Sequence, residues 1–365
     1  MEDVVSAGAL RLPERSFWSG RNVLITGHTG FKGAWLSLWL SQLGANVSGL
    51  SLAPPTTPNL HDEIGLSTLL THNFHVDIRD FDALQAAVIA TQPNVVLHLA
   101  AQSLVRPSYA DPLATFSTNV MGTANVIEAA RQSGSVQATV VVTTDKCYEN
   151  LESARRYRED DRLGGYDPYS TSKACAELVA NCWRESFDSG ALRIATARAG
   201  NVIGAGDWAV NRLLPDCFRA FAQNQPVSLR YPQAIRPWQH VLEPLNGYLL
   251  LAESLCADNG SNFASPWNFG PEESSEACVG DVALMAAQAW GPSATIEFQA
   301  QPETLHEAGQ LRLDSTKAHR ELHWAPRWSL ATAVAATAEG YRAYAKHESL
   351  RDLLLRQIAD YVGLD

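Results

Sequence analysis

Short apolar runs alternate with stretches of helical periodicity through the first half of the chain. Residues 22–26 form an apolar run of strand length, residues 34–43 have helical character, and residues 45–50 read as the next strand. Residues 74–76 make a short strand, 80–90 a helix and 95–99 a buried strand. A helix is expected over 113–131, stopping at Gly134, followed by the β-rich run ATVVVT at 138–143. A helix at 169–187 and a strand at 194–198 close the series. Strands separated by helices in this way predict a parallel, doubly wound α/β sheet. Reactive side chains in such a sheet collect beyond the carboxyl ends of its strands, where Thr144, Asp145 and Asn201 stand.

The link between the first strand and the first helix is GHTGFKG, with Gly27, Gly30 and Gly33 at three-residue spacing. Strand, glycine turn, helix and strand in that order form the phosphate-binding unit of a Rossmann-type dinucleotide fold. The first glycine permits the tight turn. The second lets the backbone approach a pyrophosphate, and the third lets helix pack on strand. The helix N-terminus supplies N–H donors to the anion. No acid follows the second strand until Asp62, so the usual partner of the ribose 2′-hydroxyl is missing. Lys32 is then a candidate neighbour for a 2′-phosphate.

YDPYSTSKA, at 166–174, supplies Tyr169 and Lys173 four residues apart, on one face of a helix. An ammonium held beside a phenol favours the phenolate and makes Tyr169 a usable base near neutral pH. A Tyr-x-x-x-Lys pair alone is weak; behind a glycine turn it marks chemistry. TTDKCY, at 143–148, adds Thr144, Asp145 and Lys146 directly after the ATVVVT strand. Asp145-Lys146 reads as an acid/base pair or as a solvated ion pair. Asp160 and Asp161 read as loop charges.

After about Gly200 the texture changes. Gly, Pro, Trp and Asp become frequent, strands shorten, and loops such as RYPQAIRPWQH separate the helices. The expected division is a loose lead-in at 1–18, a dinucleotide-binding domain at 19–200 carrying the catalytic residues, and a mainly substrate-binding α/β portion at 201–365, interleaved with the last sheet strands. Residues 330–361 read as two amphipathic packing helices.

Composition narrows the partners. A formal net charge of −11 over 365 residues argues against a nucleic-acid or anionic-membrane surface. No apolar run is long enough for a membrane span, and residues 1–18 lack the apolar core of a signal peptide. The six cysteines include no C-x-x-C pair, so reduced thiols and a cytoplasmic location are expected. The histidines show no metal-ligand spacing, and no metal site is expected.

Several long contiguous pieces resemble the extended short-chain dehydrogenase/reductase group of nucleotide-sugar enzymes. They are ITGHTGFKGAWLSLWL, HLAAQSLVRPSY, TTDKCYEN, GGYDPYSTSKACAELV, RAGNVIGAGDWA, RPWQHVLEPLNGYLLLAE and WNFGP. The resemblance runs from about Trp18 to Trp328 and lies within the 4,6-dehydratases. Asp145-Lys146, in place of the Asp-Glu of other members, points to the CDP-linked branch. It implies dehydration of CDP-glucose, for deoxysugar biosynthesis, by internal hydride cycling: oxidation at C4, loss of water across C5–C6, reduction at C6. Because no net reduction is needed, NAD is favoured as cofactor, with NADP left open.

The resemblance implies Tyr169 as base at the 4-hydroxyl and Thr144 as hydrogen-bond partner of the 4-oxygen. It implies Asp145 as acid and Lys146 as the C5 base, which needs a depressed pKa to act. Lys173 is implied to lower the Tyr169 pKa and to contact the nicotinamide ribose. Cofactor contacts are implied at Gly27, Thr29, Gly30, Phe31, Lys32 and Gly33, at Asp77 and Ile78 facing the adenine, and at Leu99, Ala100, Ala101 and Gln102 along the ribose and nicotinamide. Substrate contacts are implied at Ser103, Asn201, Arg212 and Arg236. Guanidinium groups bind diphosphate bidentately, and each arginine also reads as a surface ion-pair partner. Asn119 reads as the holder of a helix bend or a water near Lys173, or as an ordinary helix residue. The helices at 113–131 and 169–187 resemble those of a four-helix dimer interface, so a homodimer or homotetramer is expected. A 4-epimerase or decarboxylase on the same fold would need Tyr169 and Lys173 but not Asp145 and Lys146. A non-catalytic NAD-binding scaffold would need neither pair.

Overall fold

The computed structural model describes residues 10–151, 155–187, 192–229, 231–298 and 311–363. Within them the strands are β1 (Asn22–Thr26), β2 (Asn46–Ser51), β3 (His72–His75), β4 (Val95–His98), β5 (Ala138–Val142), β6 (Arg193–Ala199), β7 (Asn201–Ile203), β8 (Val227–Leu229), β9 (Ile235–His240), β10 (Pro266–Phe269), β11 (Glu276–Cys278) and β12 (Ile296–Phe298). The main sheet has the order β10-β6-β5-β4-β1-β2-β3, and all its pairings are parallel. This is a Rossmann-type doubly wound sheet, with the strand order reversing between β1 and β4.

Helices cover both faces, so the strands read as continuous apolar runs rather than alternating ones. Val23 and Ile25 of β1 enter a core with Trp35 and Trp39 of the Phe31–Gln42 helix and Leu249 of the Leu242–Cys256 helix. Leu24 faces the opposite core, with Leu84, Val88 and Val126. The helices Leu330–Ala345 and Leu350–Val362 form as expected. The second packs on the first crossover helix, with the Trp39 and Tyr361 rings 5.7 Å apart.

Three local expectations change. The helix expected over 113–131 forms, running from Pro112 to Ser133, but it carries a π-helical turn at Ser117–Met121 and is preceded by a separate short helix at Val105–Ala110. Asp111 accepts from Ala114 N and Pro112 occupies the first turn, so a new helix starts there. Asn119 lies in the π turn. Its amide accepts from Gln102 N (2.8 Å) and donates to Gln102 O (2.9 Å) and Ser172 Oγ (2.8 Å), holding the bend against two neighbouring elements.

The stretch RYPQAIRPWQH is not all loop. Its second half is β9, parallel to β7 and antiparallel to β11. Its apolar alternation is weak because pairing on both edges, rather than one apolar face, holds it.

Finally, the lead-in is not loose where it is described. Trp18 is fully buried and donates to Glu253 Oε1 (2.7 Å), which also accepts from Glu14 N (2.8 Å). Arg11 reaches Glu253 Oε2 at 3.2 Å. Residues 1–9 of that lead-in lie outside the described residues.

Candidate active site

The glycine turn makes a cradle at the end of β1. Gly27 has φ +81°, and a Cβ there would meet Ala100 N at 2.7 Å, so both backbone conformation and close approach demand glycine. A Cβ on Gly33 would lie 2.1 Å from Gly27 O, where helix meets turn. Gly30 differs: a Cβ there would meet only Gly27 O, at 3.4 Å, so its outer side is open. Gly30 caps the Phe31–Gln42 helix without a side-chain hydrogen bond, leaving the first N–H groups directed at that space. A backbone donor set with room above it fits a dinucleotide pyrophosphate.

Around the cradle, several predicted contacts are already engaged by the protein. Thr29 Oγ1 bonds Ser51 Oγ (2.7 Å) and Leu52 O (3.0 Å), closing the end of β2 with neutral hydroxyls. Asp77 is held by Arg79 at 2.6 Å, which keeps its carboxyl below the usual range. Ile78 is buried in the core, its Cδ1 2.4 Å from where a Cβ on Gly122 would stand. For an adenine Ile78 therefore offers backbone rather than side chain, while the Asp77 carboxylate is partly exposed and shared with Arg79. Leu99, Ala100 and Ala101 are half-buried past β4, and Ser103 is exposed. The Gln102 amide is already engaged, donating to Leu104 O in its own loop and to Thr115 Oγ1 of the Pro112–Phe116 helix, each at 3.0 Å.

Lys32 faces a different place from the one expected. Its charged neighbours are Arg212, Asp145, Lys173 and Asp207, and burial followed by the Arg212 charge push it down to about 8. These are residues of the catalytic cleft. The role of Lys32 beside a ribose 2′-phosphate at β2 is therefore not supported. That end of β2 carries Thr29 and Ser51 instead.

The catalytic candidates converge at the carboxyl end of β5. Thr144 starts a 3₁₀ turn over Asp145–Cys147, its Oγ1 accepting from Lys146 N at 3.3 Å. It donates to Asp145 Oδ1 (3.0 Å) and is close enough to the Tyr169 hydroxyl to favour its ionised form. Asp145 is buried, and burial raises its carboxyl pKa against the pull of Lys146, Thr144, Arg236 and Lys32. Lys146 is half-buried beside it. Tyr169 and Lys173 share a helix face as the spacing predicts, but the expected lowering of the phenol is not seen. Burial pushes Tyr169 up to about 12, with the Thr144 side chain opposing. Lys173 Nζ donates to Val142 O at 3.0 Å, and burial pushes it down to about 8 while Glu177 opposes. Four-residue spacing put the two groups on one face. Desolvation, which spacing does not report, sets their protonation.

Asn201 opens β7, half-buried. Arg236, on β9, is one of the charges that act on Asp145. Arg212 pairs with Asp207 at 2.7 Å and acts on both Tyr169 and Lys32, so its ion pair belongs to the cleft and not to the outer surface. Among the described residues, no group of three His, Cys, Asp or Glu side chains is placed to hold a metal ion, and no helix is long and apolar enough to cross a membrane.

Residues 24–337 match the model of a family described as GDP-mannose 4,6 dehydratase. The chain belongs to this family. It is 44% identical over 356 residues, 96% of this chain and 98% of the other, to CDP-glucose 4,6-dehydratase of Salmonella typhimurium. It is 28% identical to UDP-glucose 4-epimerase of Mycolicibacterium smegmatis, over 87% of this chain and 98% of that protein. Its fold is shared with a dTDP-glucose 4,6-dehydratase from Streptomyces venezuelae solved with NAD and TYD bound. The TM-score is 0.74 at 23% identity, covering 90% of this chain and 99% of that one.

Within this dehydratase-family chain, a second layer of buried polar residues was not singled out from sequence. Glu177, Arg198, Thr143 and Thr196 lie directly beneath the catalytic candidates. One signal was available: Tyr169, Lys173 and Glu177 succeed one another at steps of four on one helix.

Proposed function

We propose that this chain is an NAD-dependent hydro-lyase that converts CDP-glucose to CDP-4-dehydro-6-deoxyglucose. The observation that carries the reading is the 44% identity, over 96% of the chain, to the Salmonella CDP-glucose 4,6-dehydratase. The meeting of Thr144, Asp145 and Tyr169 at the carboxyl end of β5 supports it.

On this reading the cofactor lies on the Gly27, Thr29, Gly30, Phe31, Lys32 and Gly33 turn, with Asp77, Ile78 and the 99–102 segment along its length. Bound NAD supplies the hydride acceptor for C4 and, once reduced, the donor for C6. The Tyr169 hydroxyl oxygen takes the proton of the 4-hydroxyl, and Thr144 Oγ1 holds the 4-oxygen. Lys173, charged, stabilises the phenolate. A ketone at C4 acidifies the C5–H; Lys146 removes that proton and Asp145 donates one to the departing 6-oxygen. Burial that raises the Asp145 pKa keeps a proton on this acid closer to neutral pH. Arg212 and Arg236 bind the diphosphate, with Ser103 and Asn201 completing the contacts.

The labour divides near residue 200, with catalysis and cofactor binding before it and substrate binding mainly after it. The enzyme works in the cytoplasm; its six cysteines are unpaired thiols. It assembles as a homodimer or homotetramer through the helices that bear Leu113, Met121 and Leu178, three exposed apolar side chains.

The test is incubation of the purified protein with CDP-glucose and NAD, followed by the alkaline absorbance of a 4-keto product. The dTDP, UDP and GDP sugars serve as comparisons. Substrate deuterated at C4 should give product deuterated at C6. Stoichiometric NADH release would mean a simple dehydrogenase, and a 4-epimer as product would mean an epimerase.

A further inference from the structure

Glu177 lies one helical turn past Lys173, nearly fully buried. One carboxylate oxygen accepts from the Thr143 hydroxyl. The other accepts from Thr196 Oγ1 (2.6 Å) and from Arg198 Nη2 (2.8 Å). Arg198 is as deeply buried, and its second nitrogen donates to Tyr148 Oη (2.6 Å) and Glu159 O (3.1 Å). Tyr148 in turn donates to Asn268 Oδ1 at 2.7 Å, so the network reaches β10.

The place of Thr143 in this network is what gives it consequence. It stands between Val142, whose carbonyl receives Lys173 Nζ, and Thr144, which bonds Asp145 and acts on the Tyr169 hydroxyl. One carboxylate thus ties the catalytic helix to the strand end that carries the other catalytic candidates. A buried ion pair is a poor source of net stability, because desolvation cancels much of its attraction. A hydrogen-bonded polar network does fix one arrangement, and both Glu177 oxygens are engaged in this one, although the buried Arg198 Nε has no hydrogen-bond partner.

We infer that Glu177 is a positioning residue, bracing residues 142–144 and Lys173 in a single geometry through Thr143. The inference rests on the functional reading above for its kinetic consequences. Glu177 also acts on Lys173 through charge. Lys173 is faced by Glu177 from its own helix, Cys147 from the turn after β5, His98 from β4 and Lys32 from the first crossover helix. Glu177 is the carboxylate in that set. Arg198, Arg184 and Cys147 face Glu177 in turn. Removing its charge lets desolvation of Lys173 act with less opposition, so the ammonium should lose its proton at lower pH.

Two matched variants separate positioning from packing. Thr143→Val and Thr196→Val each delete one hydroxyl from the Glu177 carboxylate, but only Thr143 belongs to the catalytic strand end. The measurements are kcat and KM for CDP-glucose, together with thermal unfolding. Thr143→Val should cut kcat about tenfold with KM little changed, and Thr143→Ser should restore it. Thr196→Val should stay within about twofold of the parent at a comparable loss of Tm. Equal kinetic losses in the two Val variants, tracking Tm, would overturn the inference.

Glu177→Gln should move the alkaline limb of kcat/KM to lower pH. A readout independent of substrate is the titration of Lys173 by its 13Cε resonance in 13C-lysine-labelled protein, assigned by loss of the signal in Lys173→Met. The midpoint should fall in Glu177→Gln, and an unchanged midpoint would refute the electrostatic part. If the parent fails to turn over CDP-glucose while the Lys173 midpoint still falls, the functional reading fails and the electrostatic action of Glu177 on Lys173 stands.

Discussion

Gly200 and Asp145 are in near contact: a Cβ on Gly200 would lie 2.6 Å from Asp145 Oδ2 and 3.1 Å from Pro237 Cγ. The backbone joint between β6 and β7 is therefore one wall of the Asp145 carboxyl pocket. Gly200→Ala should push that carboxyl aside while leaving Tyr169 and the glycine turn alone. Displacement of a reacting group by about 1 Å costs on the order of a hundredfold. The 4-keto-6-deoxy product should form about ten- to a hundredfold more slowly, with NAD affinity unchanged by calorimetry. A normal rate in this variant would place the elimination acid elsewhere.

Tyr169→Phe removes the proton acceptor for the first oxidation. Loss of a general base costs about two to four orders of magnitude in rate. Because burial raises the Tyr169 pKa, its phenolate fraction grows as pH rises, so the parent rate should climb with pH until Lys173 begins to lose its proton near 8. The phenylalanine variant should lack that rising limb. Near-parent turnover would remove Tyr169 from the mechanism.

Asp145→Asn combined with Lys146→Met addresses elimination apart from oxidation. The double variant should bind NAD and show partial hydride transfer from C4. Dehydration should be lost, and exchange of C5–H with deuterated solvent should slow. Dehydration at the parent rate would mean that acid and base lie outside this pair.

Lys32→Met tests a half-buried cation through stability. The folded state holds Lys32 near 8 against an ordinary value of 10.5, so between those values the unfolded chain binds more protons. The charged form opposes folding fully below about 8 and ceases to do so above 10.5. The variant should therefore melt higher than the parent at pH 7, with the gap closing as pH rises through that window. A gap that is independent of pH would mean that Lys32 is not held in a desolvated, cation-rich place.

Leu178→Glu should weaken self-association, since Leu178 stands exposed on the Pro168–Ser186 helix, one of the two proposed for the interface. Sedimentation velocity is the measurement. A parent that sediments as a monomer would end the dimer proposal.

The sequence alone determined whatever depends on local spacing. The strand, glycine turn and helix at 22–42, the shared face of Tyr169 and Lys173, and the position of Thr144 and Asp145 after a buried strand are all written within a few residues of one another. Backbone periodicity and the missing Cβ of Gly27 act locally, and the structure keeps them. The tertiary structure decided what depends on residues distant in sequence. The first crossover helix is set by Trp35 Nε1 donating to Ala205 O at 2.9 Å and by Phe31 lying against Gly204; Lys32, on the same turn of chain, meets Arg212 and Asp145 and not the end of β2. β9 becomes a strand because β7 and β11 offer it edges. Trp18 is anchored because Glu253, on a helix more than two hundred residues away, accepts its N–H. The protonation of Tyr169 and Lys173 follows burial, and burial is a property of the assembled chain that no four-residue spacing encodes.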